Sequence, residues 1–267
     1  VNNGLVYAKE EAMPYDAILF DFDGVLADTE PLHCACWDEV LRPFGLSLSW
    51  DTFERQFIGV SDHELIEVFA RQLAAARDFA SIDAISDASP ATIALGSASQ
   101  LGAGNSPAPR NPEQKAAPAG FNPEEIQAFA EIWNTYPRKK DLFRQRVVAS
   151  PPILPETVDL IRSLRPKYKL AVVSSSARVE IQPPLELTEI RDCFQELVCG
   201  REAGRMKPAP DPYLKAAQLL SAKQALAVED SEAGVASARA AGLDVVQVEN
   251  VRTVSAQLRA ALAGPTR

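Results

Sequence analysis

Two aspartates, Asp21 and Asp23, stand two residues apart in the run Asp21-Phe22-Asp23-Gly24-Val25-Leu26-Ala27-Asp28-Thr29-Glu30, directly after the apolar stretch Ala17-Ile18-Leu19-Phe20. That stretch reads as a buried β-strand, so both carboxyls fall where the strand ends. Gly24 then allows a sharp turn and the close approach of a ligand. Such a pair suits phosphoryl transfer: one carboxylate attacks phosphorus while its neighbour handles the leaving-group proton. The competing reading is two solvated turn residues, because Asp and Gly are common in turns. The rest of the chain decides between them.

Three further stations follow in chain order. Ser174 closes a second apolar run, in Val172-Val173-Ser174-Ser175-Ser176-Ala177-Arg178. Lys207 stands in Gly204-Arg205-Met206-Lys207-Pro208-Ala209-Pro210-Asp211-Pro212, just before a helical pattern, and Glu229-Asp230 follow another strand-like run. Taken singly, Ser174 is a turn or N-cap residue, Lys207 an exposed lysine, and Glu229-Asp230 an acidic helix start. Taken together, nearly all lie at or just beyond strand ends, which in a parallel sheet share one edge where ligands bind. Two acidic stations then make an oxygen-rich site suited to Mg2+. A hydroxyl and a lysine can hold phosphate oxygens.

The elements that must position these groups are legible from periodicity. Ala17–Phe20, 169–173, 196–199, 226–228 and 244–248 read as strands, separated by helical patterns at 155–164, from Asp211-Pro212 to about Ser221, and 231–241. Asp211-Pro212 reads as an N-cap and first-turn pair, and Gly242 as a helix stop. Continuous apolar strands alternating with helices predict an α/β fold with a parallel sheet covered on both faces. Residues from about Pro31 to Ala149 break that rhythm with helical patterns at 31–44, 63–76 and 123–133, which predicts a helical insertion after the first strand unit. Within it, Ser86 to Gly120 has the Ala/Ser/Pro/Gly composition of a linker or long loop.

Composition narrows the function classes. The chain has 267 residues, 46% hydrophobic and 24% charged, and a formal net charge of −9, as expected of an ordinary soluble protein with a sizeable core. That negative charge argues against a nucleic-acid partner, and no apolar run reaches the length of a membrane span. Val1–Tyr15 lacks the apolar core of a signal peptide, so the expected location is cytoplasmic. Cys34 and Cys36 beside His33, and likewise Cys193 and Cys199, read as packing residues rather than metal ligands. Nothing in the sequence speaks to oligomeric state.

With DFDGVLADTEPLH, VVSSSAR, GRMKPAPDPYL and VEDSEAG in this order, the chain resembles the haloacid dehalogenase-like hydrolase superfamily, in its β-phosphoglucomutase and sugar-phosphate phosphatase branch. The resemblance implies a Rossmann-like core at 16–31 and 150–250. It also implies an inserted α-helical cap at 32–149, carrying the insertion at 86–120, with 1–15 and 251–267 as terminal segments. By position, Asp21 is the nucleophile that forms an aspartyl-phosphate and Asp23 the acid and base. Ser174 and Lys207 grip the phosphoryl group, with Ser175 and Ser176 beside them. Asp21, the Asp23 carbonyl and Asp230 hold Mg2+, with Glu229 close by. Dehalogenases of this fold lack the aspartate found here as Asp23, so the implied reaction is hydrolysis of a small-molecule phosphate ester. The alternatives are a β-phosphoglucomutase-like isomerase and a non-catalytic phospholigand-binding scaffold.

Within the implied cap, His33 takes the place of a histidine found in β-phosphoglucomutases, against a second reading as an inert histidine on the first cap helix. Gly59-Val60-Ser61 matches a substrate loop in which mutases carry an arginine next. Here that position holds Asp62, an acid that repels a second phosphate. Lys139, in Pro137-Arg138-Lys139-Lys140-Asp141, matches a cap lysine or belongs to a solvated basic run. Pro183-Pro184 predict a kinked or restarted helix after Ser174.

Overall fold

Five short strands, β1 (Ala17–Phe20), β2 (Lys169–Ser174), β3 (Glu196–Cys199), β4 (Ala225–Glu229) and β5 (Asp244–Gln247), pair in parallel in the order β3-β2-β1-β4-β5 in a computed structural model of the protein. The structure describes residues 15–83 and 116–263, with backbone alone for 79–83. The expected α/β parallel sheet is therefore present. Val1 to Pro14 and most of the Ser86–Gly120 stretch, up to residue 115, lie outside the described residues. The chain divides into two units, Val1–Thr29 with Arg146–Arg267, and Glu30–Gln145.

In the sheet unit the pleat sorts side chains to two faces. Ile18, Phe20, Leu170, Val172, Leu226 and Val228 join one cluster, while Ala17, Leu19, Ala171, Val173, Ala225 and Ala227 join another. Residues two apart share a face, so strands buried on both sides must be apolar throughout. α5 (Pro155–Leu164), α6 (Arg178–Leu187) and α9 (Val254–Leu262) feed the first cluster with Leu160, Ile161, Ile181, Leu185, Val254 and Leu258. α7 (Asp211–Leu219) and α8 (Glu232–Ala240) feed the second with Tyr213, Ala216 and Ala238. Each large aliphatic side chain so buried contributes about 1.5–3 kcal/mol against solvent exposure. The segment read as a tail, 251–267, thus supplies a helix to the sheet core.

Two local expectations need correction. α6 runs through Pro183 and Pro184 as one helix because Ile181 and Leu185, on either side, are fully buried; packing outweighs the two missing N–H groups. Asp211 is the first residue of α7, with Pro210 at the cap position, and its carboxylate is taken by Arg205. β3 and β5 are the edge strands, and the partly exposed pattern of β5 differs from the continuous burial of β1 and β4.

The second unit contains α1 (Glu30–Leu41), α2 (Trp50–Gln56), α3 (Asp62–Asp83) and most of α4 (Pro123–Ala149). A 3₁₀ turn, Arg42–Phe44, follows α1 and stops at Gly45 with φ +75°. Its core gathers Trp37, Phe53, Phe57, Phe69, Phe129 and Ile132. α4 is much longer than the 123–133 pattern predicts because it continues past Pro137, with Lys139, Phe143 and Val147 buried beyond it. All four cysteines are buried thiols, as packing residues should be. No helix among the described residues is long and apolar enough to cross a membrane.

Candidate active site

The sheet order reverses at β1, which lies between β2 and β4; such a switch point opens a crevice at the strands' carboxyl ends. Register does the rest. Phe20 is level with Val172 on one side and Val228 on the other, so Asp21 emerges beside the ends of β2 and β4. The Asp21 amide donates to the Val228 carbonyl at 3.0 Å, extending the ladder by one bond. After it the chain turns tightly: Leu26 and Ala27 amides donate to the Phe22 carbonyl and the Gly24 amide to the Ala27 carbonyl. Gly24 has φ +74°, and a Cβ there would meet the Asp230 carboxylate. Only glycine permits both the turn and the approach.

Lys207 joins the acidic stations. Its Nζ lies 2.6 Å from Asp21 Oδ1, 2.5 Å from Glu229 Oε1 and 2.8 Å from the Val173 carbonyl. Glu229 is fully buried and Asp21 nearly so. Tyr213, from α7, donates its hydroxyl to the same Glu229 Oε1 at 2.5 Å, and Ser231 Oγ donates to Oε2 at 3.3 Å. Asp23 sits in a cradle of hydroxyls. Thr29 donates to Oδ1 at 2.8 Å, and Ser176 to Oδ2 at 2.7 Å, with Ser174 at 3.4 Å from that oxygen. The Ser176 amide donates to Ser174 Oγ at 3.0 Å. Ser175 is exposed.

The electrostatics are those of crowded carboxylates. Burial first, then Glu229, Asp230 and Asp23, hold the Asp21 carboxyl well above the usual range, while Lys207 pulls it down. Asp230 is pushed up to about 6 by burial and by Glu229. Burial opposes the Lys207 charge, but Asp21 and Glu229 outweigh it and raise the ammonium's pKa. Burial and Glu229 likewise keep the Tyr213 phenol protonated. Ligand atoms of Asp21, Glu229 and Asp230 all lie within 4.8 Å of one another. Four carboxyl groups, those of Asp21, Asp23, Glu229 and Asp230, thus face one ammonium, an imbalance that a hard divalent cation on oxygen ligands relieves. The donor set fits such a cation. Glu229 is the least available of the three, because Lys207, Tyr213 and Ser231 already occupy its oxygens.

The sheet unit therefore brings together Asp21, Asp23, Ser174, Ser176, Lys207, Glu229 and Asp230. Thr29 and Tyr213 join them without a chemical signal of their own in the sequence. Thr29 belongs to the opening run, and its wholly buried position is its only distinguishing sign. Tyr213 follows Asp211-Pro212 on a helix, where an aromatic normally signals packing.

The remaining candidates lie in the helical unit, which forms a polar cluster of its own. Lys139 is 1% exposed and donates to Asp62 Oδ1 and Oδ2 at 2.6 and 2.8 Å. Its Nζ is 2.7 Å from His33 Nδ1. Trp37 Nε1 donates to Asp62 Oδ1 at 2.8 Å, and His33 stacks on Phe143 at 4.2 Å. Lys139 is thus no solvated basic residue. Asp62 is no unpaired acid either: burial opposes its charge, but Lys139, His33 and Trp37 outweigh this and hold the carboxyl below its usual value. The repulsion that Asp62 was expected to exert on a second phosphate is balanced within this unit. Gly59 lies in the turn that follows α2, and Ser61 directly precedes α3. Ser61 caps that helix, exchanging hydrogen bonds with Glu64, and the Gly59 amide points to Glu30 Oε1 at 3.4 Å.

A switch-point cluster of carboxylates, lysine and hydroxyls at the carboxyl ends of a parallel sheet is the setting of an α/β enzyme's active site. The family model of haloacid dehalogenase-like hydrolases matches residues 15–242, and the chain belongs to that family. It is 29% identical to the protein CbbY of Rhodobacter capsulatus over 88% of this chain and 85% of that one. It is 26% identical to the fructose-1-phosphate phosphatase YqaB of Escherichia coli, covering 88% and 96%. A haloacid dehalogenase-superfamily hydrolase from Geobacter sulfurreducens shares the fold with a TM-score of 0.58 at 17% identity, over 94% of this chain and all of that one.

Proposed function

We propose that this hydrolase is a Mg2+-dependent phosphatase acting on a small phosphorylated metabolite, a sugar phosphate, through an aspartyl-phosphate on Asp21. The observation that carries the reading is the convergence of Asp21, Glu229 and Asp230 around one point with Lys207 bonded to Asp21. The similarity to a fructose-1-phosphate phosphatase supports the choice of substrate class.

Lys207 holds Asp21 Oδ1, which leaves Oδ2 to attack phosphorus. As that bond forms, the bond from phosphorus to the ester oxygen breaks, and the Asp23 carboxyl gives its proton to the leaving oxygen. In the second half-reaction the Asp23 carboxylate takes a proton from water. The water oxygen attacks the same phosphorus, and the bond to Asp21 breaks, releasing phosphate. The hydroxyls of Thr29 and Ser176 orient the Asp23 carboxylate. Ser174 and Lys207 face the phosphoryl oxygens. Asp21, the Asp23 carbonyl and Asp230 would hold Mg2+, with Glu229 behind them. When bound, the ion supplies charge stabilisation for the phosphoryl oxygens.

The test is a panel of phosphate monoesters assayed for phosphate release with Mg2+ and with chelator. Release that depends on Mg2+, strongest among sugar phosphates, is expected. No release from any ester would refute the reading.

A further inference from the structure

The bonding capacity of Lys207 is full. Its ammonium has three protons, and the three acceptors around it are Asp21 Oδ1, the Val173 carbonyl and Glu229 Oε1. A phosphoryl oxygen arriving beside Asp21 gains an N–H from Lys207 only when one of these bonds opens. Of the three acceptors, Glu229 Oε1 has a second donor in place, the Tyr213 hydroxyl at 2.5 Å. Tyr213 is wholly buried, with its ring centroid 5.2 Å from Lys207 Nζ. Glu229 itself has no room to turn. Ser231 holds its other oxygen, and it packs so closely on α8 that a Cβ at Gly234 would come within 2.0–2.2 Å of the carboxylate.

We propose that Tyr213 is a positioning residue whose hydroxyl keeps Glu229 Oε1 satisfied while Lys207 turns one N–H from Glu229 to the phosphoryl oxygens of the substrate. This rests on the reading of the site as phosphoryl-binding. Without the hydroxyl, releasing Lys207 strips a buried anionic oxygen of its remaining donor, which is costly. That cost falls on phosphoryl binding. The ligand-free protein, in which Lys207 still serves Glu229, is spared most of it.

The experiment measures the affinity of the Mg2+-loaded protein for inorganic phosphate by titration calorimetry, in wild type, Tyr213→Phe, Lys207→Ala and the double variant, with melting temperatures alongside. Tyr213→Phe should weaken phosphate binding about tenfold with little change in melting temperature. In the Lys207→Ala background the same substitution should change nothing. If Tyr213→Phe fails to fold, Glu229→Gln, which weakens the acceptor that Tyr213 satisfies, is measured in its place and should remove the dependence of phosphate affinity on Tyr213. Phosphate affinity within twofold of wild type in Tyr213→Phe, or an equal loss with and without Lys207, would overturn the proposal. A wild type that binds phosphate but hydrolyses no ester defeats the phosphatase reading and leaves this one standing. A wild type that does not bind phosphate defeats both.

Discussion

Lys207 Nζ lies 2.6 Å from Asp21 Oδ1, and both side chains are buried. The contact fixes one carboxylate oxygen, and on the proposed mechanism the other attacks phosphorus. Asp21→Asn keeps the shape but would remove that nucleophile, so turnover should fall about ten-thousand-fold or more. The fold should survive, because Glu229 and the Val173 carbonyl still hold Lys207. Steady-state phosphate release and a thermal melt check both halves. Substantial residual activity would sink the assignment of Asp21.

Metal removal should act on stability as well as on rate. Chelation should abolish turnover, and added Mg2+ should raise the melting temperature of the apoprotein, since a ligand bound to the native state stabilises it by mass action. Asp230→Asn should raise the Mg2+ concentration for half-maximal stabilisation by at least about tenfold. An unchanged Mg2+ titration in that variant would remove Asp230 from the metal set.

Gly234 offers an inverted test of packing. Gly→Ala inside a helix usually gains about 1 kcal/mol. Here the new Cβ would fall 2.0 Å from Glu229 Oε2, and three donors keep that carboxylate from moving aside. Gly234→Ala should therefore cost about 1–3 kcal/mol and lower turnover. Chemical denaturation and kinetics on the one variant decide it; a stabilised, fully active protein would show that Glu229 moves freely.

The Asp62–Lys139 pair predicts a pH-dependent stability term in the helical unit. The Asp62 carboxyl is depressed below its ordinary 3.8. A depressed carboxyl contributes stability above its unfolded value, and the contribution is lost as pH falls through the folded value. At pH 7, Asp62→Asn leaves the buried Lys139 uncompensated and should cost about 3–5 kcal/mol. The gap between wild type and variant should narrow as the pH is taken below about 3.8. Denaturation curves at pH 7 and pH 3 measure it, and a gap that does not depend on pH would argue against the ion pair.

Much of the sheet unit was legible because its signals are local. A strand buried on both faces must be apolar at every position, as Ala17–Phe20 and the run ending at Ser174 are, and a helix ending before Gly242 announces its stop. The five strands appear where the pattern predicts them. Helix ends under competing pressures were less legible. Pro183-Pro184 read as a kink or restart, yet the buried Ile181 and Leu185 on either side carry the helix through, and α4 runs past Pro137 well beyond the pattern at 123–133.

The sequence by itself determined that Asp21, Asp23, Ser174, Lys207, Glu229 and Asp230 come to one edge. Each follows a strand or precedes a helix, and parallel strands bring such ends together. Only the tertiary structure decided what each group bonds to. Tyr213 reaching Glu229, Thr29 and Ser176 cradling Asp23, and Lys139 neutralising Asp62 are meetings between residues remote in the chain or unmarked by any local pattern. The same fact changes the meaning of charges: Asp62 reads as a lone acid in the chain and is half of an ion pair in the fold. Hydrogen bonds and desolvation depend on which atoms share a few ångströms of buried space, and no periodicity records that.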